Sequence, residues 1–92
     1  MKFVTATVLA LTLSATSAMV LAGPQCTAES TDKWQDQAAF QDQLKAQGYQ
    51  IKKFKVTSGN CYEIYGHDKD GKKVEIYFNP VDGAIVKHKF ED

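Results

Sequence analysis

Arginine is absent from this sequence. All 11 basic side chains are lysines, and they stand against 11 acids. A chain without guanidinium forks and with no net charge lacks the side chains that grip phosphates and read base edges, which argues against nucleic acid as a partner. Serine is almost missing beyond residue 30: Ser58 stands alone there, in a stretch of turn chemistry, so a nucleophile elbow has nowhere to form. There is no nucleotide loop and no zinc spacing. Histidine occurs twice, at His67 and His88, each without a second ligand at metal spacing. Only one long apolar stretch exists, at the N-terminus, and cysteine is limited to Cys26 and Cys61.

The N-terminal stretch has the order of a secretory signal. Met1-Lys2 gives a minimal basic start, Phe3 to Leu13 is mostly apolar, and small residues lead to Val20-Leu21-Ala22. Cleavage after Ala22 is the preferred site and Ala18 the alternative. A membrane anchor is the competing reading, because Phe3 to Ala22 has the length of a bilayer span. Against it, threonines and serines dilute the run and no basic stop-transfer cluster follows. Leu21-Ala22-Gly23 would be a lipid-attachment box if cysteine came next, but Pro24 stands there. The expectation is a cleaved signal over 1–22 and one domain over 23–92, periplasmic or secreted, with no stable membrane anchor.

After removal of 1–22 the domain has about 70 residues, a size at which a staple matters. Outside the cytoplasm disulfides persist, so an even pair of cysteines reads as a Cys26–Cys61 bridge. It closes a loop of about 36 residues, worth roughly 3.5–4 kcal/mol in the chain-entropy description. A redox-active or metal-binding pair would need a C-x-x-C arrangement that is not present.

Periodicity predicts one helix and four strands. Thr31 as N-cap opens a helix over 32–47, with Trp34, Ala38, Phe40 and Leu44 along one side and Gly48 ending it in a left-handed conformation. In 50–57, Phe54 and Val56 share one phase and Ile51 the other, so either a second apolar surface or a bulge near Lys52 and Lys53 is required. Strands follow at 61–67, 72–78 and 84–90, separated by Asp68-Lys69-Asp70-Gly71 and Asn79-Pro80-Val81-Asp82-Gly83. Short turns between neighbouring strands give an antiparallel meander, and a single helix covers one face of it. The fold class is α+β: one N-terminal helix on a small meander of three to four strands.

The uncovered face carries Tyr65 and Tyr77, whose strand phases oppose those of Ile64 and Ile76. Two readings stand for them, a protein interface or cross-strand sheet decoration. Asp68-x-Asp70-Gly71 matches the middle of a calcium loop but lacks both end ligands, so it reads as a hairpin.

Trp34, Gly48-Tyr49, Cys61-Tyr62-Glu63, Asp70-Gly71-Lys72-x-Val74-Glu75 and Asn79-Pro80-x-x-Gly83, in that order, resemble the small exported PepSY-domain proteins of the peptidase propeptide and YpeB type. The resemblance covers about residues 26–90. Asn79 stands where the family usually has aspartate. The resemblance implies a non-enzymatic binding module with an unidentified protein partner, a peptidase that it binds or inhibits, and it carries over no catalytic residues, cofactor or metal. The alternative is a periplasmic small-ligand or metal-binding accessory protein using His67, His88 and Asp68. Intact mass of the exported protein should begin the chain at Gly23 and rise by two hydrogens on reduction. Free thiols, or a retained N-terminus, would overturn this part of the reading.

Overall fold

Phe40 and Leu44 are the two helix residues that the sheet buries, and the elements are arranged around them. The computed structural model describes residues 23–91. The export signal read at 1–22 lies outside the described residues. Helix α1 spans Gln37–Ala46, and the strands β1 Gln50–Val56, β2 Tyr62–His67, β3 Lys73–Phe78 and β4 Ile85–Phe90 follow it in the order β1-β2-β3-β4, antiparallel throughout. This is the expected α+β meander, with four strands. Among the described residues no helix is long and apolar enough to cross a membrane.

The helix begins later than the sequence pattern predicts. Thr31–Lys33 form a single 3-10 turn, Trp34 is extended, and the N-cap is Asp36, whose carboxylate accepts from the Ala39 N–H at 2.9 Å. Tertiary hydrogen bonds hold the segment before Asp36 away from helical geometry. The Gln35 N–H donates to the Pro80 carbonyl at 2.8 Å, and the Tyr62 hydroxyl donates to the Gln35 carbonyl at 2.5 Å. Trp34 therefore packs edge-on against Tyr62 from outside the helix, its indole N–H held by the Glu29 carbonyl. Ala38, read as part of the apolar stripe, is exposed.

The end of α1 follows the pattern. The Tyr49 N–H donates to Leu44 and the Gly48 N–H to Lys45, which is a Schellman closure, and Gly48 takes the φ of 106° that this closure needs. Tyr49 then packs back on the core.

The register of β1 shifts between Ile51 and Lys53, so Lys52 is the extra residue of a bulge. That resolves the phase conflict: Ile51 and Phe54 both face the helix side. The core is Phe40, Leu44, Tyr62, Ile64, Val74, Ile76 and Phe78, with Trp34, Tyr49, Ile51 and Phe54 at its margin. Each such side chain contributes roughly 1.5–3 kcal/mol on full burial, before the entropy of ordering is subtracted. No residue of β4 belongs to this core.

The lead-in before the helix is fastened across one end of the sheet. Cys26 and Cys61 form a disulfide, the Cys26 N–H donates to the Gly59 carbonyl at 2.9 Å, and the Asn79 side-chain amide donates to the Cys26 carbonyl at 3.0 Å. The fit is close: a Cβ on Gly59 would stand 2.1 Å from the Pro24 carbonyl oxygen. Asn79 has a second task, since its side-chain oxygen accepts from the Val81 N–H and starts the β3–β4 turn. Aspartate would begin the turn equally well but has no N–H to give Cys26.

Candidate functional site

Antiparallel register fixes which side chains share the face that α1 leaves open. One row across the sheet reads Lys55, Glu63, Tyr77, Lys87, and the next reads Lys53, Tyr65, Glu75, Lys89. On the two central strands this makes a square of two tyrosines and two glutamates. Each tyrosine has one glutamate two residues away on its own strand and the other directly opposite. The edge strands supply four lysines.

The glutamates are the unexpected members of this square. Glu63 is 2% and Glu75 7% exposed, although both sit on the face without a helix. The half-buried rings of Tyr65 and Tyr77 and the lysine stems enclose them. Lys55 reaches Glu63 at 3.9 Å and Lys89 reaches Glu75 at 3.6 Å. Lys53 and Lys87 lie over the rings of Tyr65 and Tyr77, 5.7 and 6.0 Å from their centroids. The lead-in shelters one corner, since a Cβ on Gly23 would stand 2.9 Å from the Tyr77 ring.

Burying two neighbouring carboxyls disfavours ionising both and drives their titrations apart. Burial pushes the Glu63 carboxyl up, and its hydrogen bond with Glu75 adds to the rise. The same hydrogen bond holds Glu75 down at about 2, helped by Tyr77, Tyr65 and Lys89. Glu63 Oε2 is buried and meets no hydrogen-bond donor among the described residues. A protonated Glu63 that donates to Glu75 satisfies both groups. The Tyr77 hydroxyl donates to Glu75 Oε2 at 2.9 Å. Both tyrosines are raised above the ordinary phenol value, Tyr65 chiefly by its hydrogen bond to Glu63 and Tyr77 chiefly by burial.

The structure thus places Tyr65 and Tyr77 at diagonal corners of one square on the open face, half-buried rather than free. A cleft of about 330 Å³ beside them is lined by Lys55, Thr57, Ser58, Glu63 and both tyrosines. His67 and His88 are not brought together. His67 lies opposite Lys73 on the open face, whereas His88 lies opposite Ile76 on the helix face, where its ring stacks 4.5 Å from Phe90. Among the described residues no group of three or more histidine, cysteine, aspartate or glutamate side chains is arranged to hold a metal ion.

Sequence reasoning passed over Glu63 and Glu75 because outward acids on strands read as solvated. The signal was available in the Asp68–Gly71 turn. A hairpin closed there pairs Glu63 with Tyr77 and Tyr65 with Glu75, as observed.

The pair sets a pH dependence with opposite signs. Glu63, raised above the ordinary 4.5, stabilises the fold fully below that value and loses the contribution as pH rises through its own pKa. Glu75, lowered to about 2, contributes fully above 4.5 and loses it as pH falls toward 2. Glu63→Gln keeps a donor for Glu75 and removes the ionisation. Its melting temperature should match the parent near pH 4 and exceed it increasingly toward pH 8, and parallel melting curves across that range would refute the shared proton.

Comparison with known proteins bears on the family of the chain. A family model described as peptidase propeptide and YPEB domain matches residues 4–89. No curated protein and no solved structure matches the chain. PepSY domains are typically non-catalytic propeptide or inhibitor modules and are generally extracytoplasmic, and the Cys26–Cys61 bridge fits such a compartment. With a match spanning nearly its whole length, on top of the α+β meander and its turns, the chain belongs to the peptidase propeptide and YPEB domain family.

Proposed function

We propose that this chain is an exported, non-catalytic binding module that docks a protein partner through the open sheet face, and that the partner is a peptidase which it binds or inhibits. Export rests on the signal pattern of 1–22 and on the disulfide. Peptidase as the partner class rests on the family. The observation that carries the reading is the preformed square of Tyr65, Tyr77, Glu63 and Glu75 between two columns of lysine.

Such a surface suits protein recognition for physical reasons. Tyrosine brings contact area with few rotatable bonds, and here both rings are half-buried and the Tyr77 hydroxyl is already held by Glu75, so less side-chain entropy remains to be lost on docking. Four ammonium groups outnumber the two carboxyl groups of the square, so the face is positive and favours an acidic partner surface. Its lysines steer encounter while the rings supply contact.

Capture from an extracytoplasmic extract tests the reading. The parent protein should retain a peptidase, and a Tyr65→Ala/Tyr77→Ala variant with an unchanged circular dichroism spectrum should release it. Retention of the same proteins by both, or capture of none by the parent, would remove this function.

A further inference from the structure

The outer edge of β4 differs from every other part of the sheet. The Glu91 N–H donates to the Lys73 carbonyl at 2.9 Å, and Glu75 faces Lys89 and Tyr77 faces Lys87 in the same phase. An antiparallel ladder alternates hydrogen-bonded and open pairs. The backbone groups of Lys87, Lys89 and Glu91 therefore turn inward to β3, and those of His88 and Phe90 turn outward. Among the described residues the sheet order ends at β4, so these outward groups meet no described strand. All of β4 is exposed, with Ile85 at 49% and Phe90 at 61%.

The opposite edge is blunted. Strand β1 carries its bulge at Lys52 in the middle of the pairing, and a bulge with clustered lysines is a common protection against strand addition. The irregularity of β4 lies at its start, where Phe78 pairs with Ile85 and Tyr77 with Lys87, and the ladder from Lys87 onward is regular. This regular stretch has two chemically distinct sides. Lys87 and Lys89 lie on the tyrosine face, and His88 and Phe90 lie on the helix face beyond the reach of α1.

A strand added here would set its residues opposite Lys87 and Lys89 on the positive face, and its residues opposite His88 and Phe90 against an apolar, aromatic side. A second copy fits poorly across the regular stretch. Antiparallel pairing centred on His88 would place Lys87 of each copy against Lys89 of the other, which is repulsive on both sides of the centre, and pairing centred on Phe90, which would set Lys89 against Glu91, engages only the last residues of β4. The complementary occupant alternates acidic and apolar residues.

We propose that the outer edge of β4 takes up an extended segment of the protein partner, alternating acidic and apolar residues, as a fifth strand of the sheet. The inference rests on the protein-binding reading above and gives the place and chemistry of that binding. The segment gains main-chain hydrogen bonds at His88 and Phe90, ion pairs at Lys87 and Lys89, and contact with the exposed Phe90 ring.

The probe is a capped heptapeptide of alternating valine and glutamate, titrated into the isotope-labelled exported protein, with an alternating valine and lysine peptide as control. The acidic peptide should shift the amides of 86–90 most and slow exchange at His88 and Phe90, and the basic peptide should not. His88→Pro deletes an N–H that points away from β3, so the ladder with β3 survives while strand addition is blocked. It should weaken the acidic peptide about tenfold, the loss of one hydrogen bond with its alignment. Lys87→Glu, which leaves the backbone intact, should weaken it comparably. Equal binding of both peptides, shifts centred on β1, or undiminished affinity in both variants would overturn the inference. A peptidase captured by the parent and kept by His88→Pro would overturn the edge site alone, whereas a parent that captures nothing would overturn the protein-binding reading itself.

Discussion

Everything distinctive about this fold depends on the register between β2 and β3. Pairing Tyr62 with Phe78 and Ile64 with Ile76 puts the aromatic and branched side chains under α1, and the same pairing puts Glu63, Tyr65, Glu75 and Tyr77 together on the other face. A slip of one residue would send the glutamates into the apolar core and the isoleucines into solvent. Core and open face are thus two consequences of one alignment. The alignment is set locally, by the Asp68 carboxylate accepting from the Asp70 and Lys72 N–H groups and by Gly71 with its φ of 81°.

The lead-in adds a constraint from outside the sheet. Through Cys26 it is bonded to Cys61 at the start of β2, and through the Cys26 carbonyl to Asn79 at the end of β3. These residues sit at the same end of the two central strands, so the clamp resists fraying where the β1–β2 and β3–β4 turns emerge. A core built on one short helix gives such a clamp large relative weight. It also fixes Gly23 beside Tyr77, so the clamp on the sheet and the shelter of the open face are connected.

Much of this was legible in the sequence. Alternating phases in β2 and β3 named the core, whereas the same alternation in β4 buries nothing; the turn residues named the order of strands, and the odd phase of Ile51 left a second apolar surface or a bulge, of which the structure has the bulge at Lys52. What escaped was long-range. Thr31 has the chemistry of an N-cap, but contacts from Pro80 and Tyr62, far along the chain, hold Gln35 extended and move the helix start to Asp36. The burial of Glu63 and Glu75 escaped for a related reason. Each looks solvated on its own strand, and only the cross-strand square with Tyr65 and Tyr77 encloses it. Phase alone put the two tyrosines on the open face, whereas the acids packed among them lie outside what one strand's pattern shows.

That square links the physics to the proposed role. The two buried carboxyls are outnumbered by the four lysines around them, which leaves the face positive, and the Tyr77 hydroxyl bound to Glu75 holds its ring in place before any partner arrives. Following the side-chain carboxyl carbons of Glu63 and Glu75 by NMR across pH 1.5 to 9, a range of about three units beyond ordinary glutamate on the acid side and more on the other, tests this most directly. Two well-separated titrations, Glu75 at about 2 and Glu63 above the ordinary 4.5, are the predicted result. Two independent titrations, both at the ordinary value, would contradict it.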